Sequence, residues 1–155
     1  MATCAALVGA GLPPNAAEDS YNILSALFGK KLERPIREAT ILHGGNGKFA
    51  IRRGDWVLID APTGDGNGAR GEPDWFKQQR GYQKHPSPGE LYDLRHDVPQ
   101  RHNLYAARPQ MVQELKALLA KYKAEGRSTP GPRQANSSNE LRAASLPDES
   151  AAPSF

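Results

Sequence analysis

GELYDLRHDVPQRHNLYAARPQMVQELKALLAKY, residues 89–122, contains a change of hydrophobic period that decides the fold. Its first part, Leu91-Tyr92-Asp93-Leu94, is a short apolar stretch after a glycine and reads as a strand. Asp97-Val98-Pro99 reads as a turn. From Pro109 onward the apolar residues Val112, Leu115, Leu119 and Tyr122, with Leu118 beside them, fall three or four apart. That spacing puts them on one face of a helix. Pro109 suits the first turn, where its missing N–H costs nothing. Lys121 and Lys123 suit the negative end of the helix dipole, and Gly126 is the expected C-cap.

Upstream, residues 39–43 are a candidate strand, followed by the flexible turn Gly44-Gly45-Asn46-Gly47. KFAIRR (48–53) alternates apolar and polar residues, Gly54-Asp55 is a tight connector, and WVLI (56–59) is apolar. Two such strands around a Gly-containing pair predict a hairpin. With residues 39–43 and the later strand, the expectation is a four-stranded antiparallel sheet, at about 38–43, 48–53, 55–60 and 90–94, packed by the 109–124 helix. Residues 61–89 read as a long loop around Trp75 and Phe76, with room for one helical turn. Loops of this length are usually functional, or disordered.

MATCAALVGA (1–10) favours helix, with Gly11 as its expected cap and Pro13-Pro14 as its stop. It carries no start signal, so it reads as the second half of a longer helix. Glu18-Asp19-Ser20 precedes a second apolar segment, 21–28, ended by Gly29; the acidic pair suits a helix start. Residues 127–155 hold four prolines and seven serines or threonines with little apolar periodicity, the composition of a disordered tail. The organisation expected is a helical segment at 1–37, a sheet-and-helix subdomain at 38–126, and a tail at 127–155.

The chain has 155 residues, which suits one ordinary domain, and its 15 glycines and 13 prolines point to many turns. The formal charge of +3 comes from scattered Lys and Arg, without the basic patches and interleaved aromatics of a nucleic-acid footprint. No apolar run approaches the ~18 residues of a membrane span. Residues 1–12 have no basic region of a signal peptide, which leaves the compartment open. Cys4 is the sole cysteine, which excludes an internal disulfide and a cysteine-rich zinc site. It has no neighbouring base to make a thiolate and reads as a small apolar filler.

The four histidines form neither HxH nor HExxH. His85, His96 and His102 read as solvated loop residues. His43 is singled out, because it ends a strand directly before a Gly-rich turn where a ligand can approach the backbone. Lys48, Arg52 and Arg53 offer positive charge for an anion, although a solvated strand face is the plainer reading. Asp93 and Asp97 offer carboxylates for a cation without EF-hand spacing. Trp56 and Tyr92 read as core anchors.

Residues 89–122 closely resemble the C-terminal signature of the sulfatase family, in which an LYDL strand leads through an acidic turn to an Asn-Leu pair and an amphipathic helix. FAIRRGDWVLI (49–59) resembles the preceding hairpin. MATCAALVGAGLPPNAAEDSYNILSALFG (1–29) resembles the segment that closes the large sulfatase domain. The resemblance runs collinearly from Met1 to about Pro132.

It implies an α/β fragment of an alkaline-phosphatase-like enzyme that hydrolyses sulfate esters. In the family a formylglycine, made from Cys or Ser in C/S-x-P-x-R, supplies the nucleophile. Calcium and cationic side chains hold the sulfate. Cys4 is followed by Ala5 and Ala6, so that motif is missing, and the resemblance places formylglycine and calcium ligands upstream of this segment. It therefore implies no catalytic or metal residue here, with His43 as the one substrate-cleft candidate. The family's His-His-Ser reads Leu42-His43-Gly44 in this chain. The implied partners are a sulfated small molecule or glycan in the context of the full enzyme, and either the missing N-terminal domain or a second copy. Family members are often periplasmic or secreted. Two alternatives stand beside a fragment that is not catalytic alone: a stand-alone binding module, and a complementing subunit of a split sulfatase.

Overall fold

The computed structural model describes residues 1–44, 47–64, 72–79, 81–82 and 84–134. Four strands, β1 (Thr40–His43), β2 (Phe49–Arg53), β3 (Trp56–Ile59) and β4 (Glu90–Asp93), form an antiparallel meander in chain order. Register aligns Ile41, Ile51, Leu58 and Leu91 across the sheet. Side chains alternate along a strand, so this row points to one face. There it meets the helix spanning Pro109–Glu125, which presents Val112, Leu115, Leu119 and Tyr122. Ile51, Leu58, Leu91 and Leu115 are fully buried at this interface. Arg53 to Glu114 and Lys116 to Asp60 are ion pairs that tie the middle of the helix to the sheet.

Gly126 ends this helix in the left-handed region at φ 64°. A Cβ there would run into the Gln134 carbonyl. Glycine is thus required twice, by conformation and by close approach.

Three elements precede or interrupt this unit: α1 (Ala2–Leu7), α2 (Leu24–Leu27) and α3 (Asp74–Gln79). The long C-terminal helix is therefore α4. The sequence anticipated helix over 1–10 and a helical 21–28; both helices are shorter. Gly9 and Gly29 turn into the left-handed region at φ 66° and 67°. Gly9 N–H donates to Ala6 O and Ala10 N–H to Ala5 O, and the Gly29–Lys30 pair repeats the pattern onto Ala26 and Ser25. These are Schellman closures, so Gly9 and not Gly11 stops the first helix. Most of 1–37 is irregular, stitched by Ser20 Oγ accepting from Ala2 N–H and Thr3 Oγ1 accepting from Ile23 N–H.

The chain after α4 departs from the tail expected from residue 127. Arg127 is buried, and its guanidinium donates to Thr129 O, Pro14 O, Pro132 O and Thr129 Oγ1. Ser128 and Thr129 N–H groups donate to Glu18 O. Residues 127–134 thus bind 14–19 back to the end of α4. Residues 135–155 of the expected tail lie outside the described residues.

The sheet's second face carries Val57, Ile59, Glu90 and Tyr92, with Val57, Glu90 and Tyr92 buried. The described start of the β3–β4 loop meets it: Gly64 rests against Ile59, and Gly64 N–H donates to Glu90 Oε2 at 3.1 Å. His85, expected to be solvated, is a correction. Its side chain is only 11% exposed, and Nε2 lies 3.1 Å from Glu90 Oε1.

Candidate substrate cleft

β1 delivers His43 to the sheet edge, directly opposite Phe49 in the β1–β2 register. The imidazole stacks on the Phe49 ring with centroids 4.2 Å apart and planes 13° from parallel. Lys123, in the last turn of α4, places Nζ 3.8 Å from the centroid of that ring. The phenyl group thus fixes an imidazole and engages an ammonium, whose attraction to the π-face orients it. A cleft of about 470 Å³ opens here, with Arg37, Thr40, His43, Phe49, Lys123 and Asp19 among its walls.

Tyr122 and Arg127 also line it. Burial first, and the nearby Glu38 carboxylate second, push the Tyr122 phenol up to about 12. It stays protonated and donates to Glu38 Oε2 at 3.3 Å. Arg37 packs its guanidinium 5.0 Å above the Tyr21 ring, while Tyr21 O–H donates to Ser128 O. Asp19 accepts from Ser128 N–H. The cleft therefore presents the cations of Arg37 and Lys123 beside an exposed imidazole, over a floor whose polar groups are internally satisfied. Such a site suits a small anion or an anionic sugar.

The other sequence candidates do not assemble here. Arg53 pairs with Glu114, Arg52 Nε donates to Gly54 O, and Lys48 has an interaction of its own. Asp93 is lowered, chiefly by its hydrogen bond from His96 and further by Arg95 N–H. Asp97 is also lowered: burial pushes it up, but the N–H donors of Arg101 and His102 outweigh that. Both carboxylates are engaged as loop acceptors, and among the described residues no three His, Cys, Asp or Glu side chains gather as a metal site. His96 and His102 are exposed, each facing the neighbouring aspartate. Trp56 is half-buried against the core and Tyr92 is buried. Cys4 is exposed, which corrects its reading as an apolar filler, and Ala5-Ala6 follows it. The described residues do not fit a formylglycine or a calcium ion.

Sequence reasoning missed Arg37, Lys123 and Arg127 as cleft residues. Lys123 was legible only as a dipole partner. Arg37 and Arg127 lie 90 positions apart without periodic signal and meet only through the closure of 127–134 on 14–19.

An antiparallel meander covered by one helix, with a basic-rimmed cleft at its edge, defines a small α/β unit. No family model matches the sequence. The chain is 34% identical over 125 residues to an N-acetylgalactosamine-6-O-sulfatase of Bacteroides thetaiotaomicron, a match covering 79% of this chain and 22% of that protein. A solved structure described as 6S-sulf, from work on the metabolism of multiple glycosaminoglycans by Bacteroides thetaiotaomicron, superposes with TM-score 0.60 at 31% identity over 79% of this chain and 23% of the other. Ps i-CgsB in complex with k-i-k-neocarrahexaose shares the fold at TM-score 0.50 and 15% identity, over 95% of this chain and 28% of its own.

The chain belongs to the sulfatase family, as a C-terminal portion. It spans under a quarter of the length of the first two relatives. Among the described residues no helix is long and apolar enough to cross a membrane.

Proposed function

We propose that the chain is the substrate-contacting, non-catalytic part of a sulfatase that acts on sulfated glycans. The observation that carries this reading is the placement of His43 beside Arg37 and Lys123 at the mouth of one cleft. In the complete enzyme, formylglycine and calcium supply the nucleophile and charge stabilisation; both are assigned to polypeptide outside this chain. Within the chain, the Arg37 guanidinium and Lys123 ammonium attract the sulfate or a neighbouring acidic group. His43, held flat by Phe49, donates or accepts a hydrogen bond with a sugar hydroxyl. Binding of this kind orients the ester for chemistry performed elsewhere.

The exposed apolar side chains Leu7, Val8, Leu27 and Phe28 support a second element of the proposal. They pack against the larger part of the enzyme, whether that part lies in the same polypeptide or in a complementing subunit. Without it, they draw copies of the chain together.

The test is a chimera in which this chain replaces the matching segment of the Bacteroides N-acetylgalactosamine-6-O-sulfatase. It is expected to fold and hydrolyse N-acetylgalactosamine 6-sulfate, whereas the 155-residue chain alone shows no turnover with or without calcium. His43→Ala in the chimera raises KM about tenfold, the loss of one contact of about 1.4 kcal/mol. An unchanged KM removes His43 from the substrate site. Turnover by the isolated chain overturns the division of labour.

A further inference from the structure

The two edges of the sheet end differently. In an antiparallel ladder, successive residues turn their N–H and C=O groups alternately toward the partner strand and away from it. Gly44 N–H donates to Lys48 O, and the pairs Leu42↔Ala50 and Thr40↔Arg52 continue that register. Thr40 and Leu42 therefore bond to β2, and Ile41 and His43 turn their backbone groups outward. At the other edge the outward residue of β4 is Leu91, and the chain closes it. Leu91 N–H donates to Asn103 Oδ1, and Leu91 O accepts from Leu104 N–H. Nothing comparable closes β1. Among the described residues, the outward N–H and C=O groups of Ile41 and His43 have no hydrogen-bond partner.

Ile41 and His43 line the cleft of about 470 Å³, and so does Ala39. Ala39 is only 4% exposed, and among the described residues its N–H and C=O also lack a partner. Backbone groups in buried residues are nearly always paired. A row of unpaired donors and acceptors along a cleft wall, one pair of them in a buried residue, marks a binding edge. A polypeptide strand is the usual partner of such an edge. Here the edge shares its cleft with the Arg37 guanidinium and the His43 imidazole. A basic cleft of this size suits a compact anionic ligand rather than a further strand.

We infer that the open edge of β1 reads the acetamido group of a sulfated N-acetylhexosamine, with the N–H and C=O of Ile41 as its contacts. The ligand class rests on the sulfated-glycan reading of the cleft given above. An acetamido group is a secondary amide, the same chemistry as the peptide group that pairs with a strand edge. Its C=O accepts from Ile41 N–H. The neighbouring sugar hydroxyl, which both donates and accepts, meets Ile41 O. A sugar with a hydroxyl in place of the acetamido group loses the amide contact. The edge therefore discriminates acetamido sugars from plain hexoses.

The test is a nitrogen-15 correlation NMR titration of the 155-residue chain, which reads the backbone N–H groups themselves. The Leu27→Ser/Phe28→Ser variant carries the titration if self-association broadens the spectra. Methyl N-acetylgalactosaminide 6-sulfate is expected to shift the Ile41 amide downfield with saturation. Methyl galactoside 6-sulfate is expected to bind about tenfold more weakly and to leave that amide in place. Ile41→Pro deletes an N–H that the ladder to β2 does not use, as an edge strand tolerates. Ile41→Ala removes side-chain bulk alone. Proline is expected to cost about tenfold in affinity for the acetamido sugar beyond alanine, and nothing for the galactoside. Should Ile41→Pro fail to fold, the wild-type Ile41 shift and the ratio of the two sugars decide. Equal affinity for the two sugars overturns the acetamido inference and leaves the glycan reading of the cleft. So does an Ile41 amide that stays in place while His43 and Arg37 signals move. No cleft signal moving with either sugar overturns both. A blocked Thr/Val tetrapeptide that moves the Ile41 amide when the sugar does not would assign the edge to polypeptide, and would overturn the ligand class.

Discussion

Asn103 shows how a sequence signature becomes structure. Its Oδ1 accepts from the N–H groups of Leu91 and Tyr105, at 3.0 and 2.9 Å, and its Nδ2 donates to Gly89 O at 3.1 Å. The amide thus pins the loop before α4 to the last strand. Asn103→Ala strands two partly buried donors at about 1–3 kcal/mol each. The expected loss of about 2–6 kcal/mol is measurable by urea denaturation; a shift under 0.5 kcal/mol means water replaces the amide. Asp97 does related work upstream by accepting from Arg101 and His102 N–H at 3.0 and 2.7 Å. Its folded-state pKa is lowered, so its contribution to stability is present above the unfolded value near 4 and is lost as pH falls through the lower folded value. Stability should therefore drop below about pH 4 in wild type, and Asp97→Asn should flatten that drop while costing stability at pH 7. Thermal melts from pH 2.5 to 7 decide it. The turn at Asp97 was legible as a turn, and its acceptor contacts to Arg101 and His102 are local, whereas Asn103 reaches Leu91 and Gly89 12 and 14 positions back. His85 was not legible: its partner Glu90 is buried by the sheet's second face, and nothing local in His85-Pro86 announces that.

At the scale of elements, α4 was the most legible, since four apolar positions on one face, Pro109 at the start and Gly126 at the end all give the same boundaries. The hairpin was legible for a similar reason: Gly54, at φ 60°, occupies the turn that Gly-Asp predicts. Helices α1 and α2 were over-read, because helix propensity is a weak prior and glycines at 9 and 29 stop the chain early. The β3–β4 loop was readable as long and aromatic, but the clamp that shapes it depends on a carboxylate 26 residues from one of its partners. Leu115 tests whether α4 docks as described. It is fully buried among Ile51, Leu58 and Leu91. Leu115→Asp buries an unpaired carboxylate, which costs several kcal/mol unless it stays protonated. The expected outcome is loss of soluble folded protein at pH 7. Leu115→Ala, at about 2–5 kcal/mol, keeps the test quantitative if the aspartate variant cannot be purified. A Leu115→Asp melt equal to wild type would mean that α4 packs by another face.

For the whole molecule, the two halves of the structure differ in what they bury. The core lies entirely within residues 39–122, whereas Leu7, Val8, Leu27 and Phe28 are each at least 60% exposed. The N-terminal segment is nevertheless fixed to the core unit, through Arg127 to Pro14 and Ser128 to Glu18 and Asp19. The helices α1 and α2, which carry or adjoin these side chains, contact one another, and exposed apolar surface of this kind drives association. The chain spans 22% of its curated relative, so in an intact enzyme of that size most of the protein remains available to cover them. The purified chain is therefore expected to self-associate, with mass rising across a concentration series in size-exclusion chromatography with light scattering. Leu27→Ser with Phe28→Ser should shift it toward monomer without lowering the melting temperature, because neither side chain contributes to the core. Arg127→Ala separates attachment from exposure: it removes the clasp, loosens the N-terminal segment and increases protease cleavage near residues 9–14, while the sheet and α4 still melt cooperatively. A concentration-independent monomer would show that this apolar surface does not need a partner.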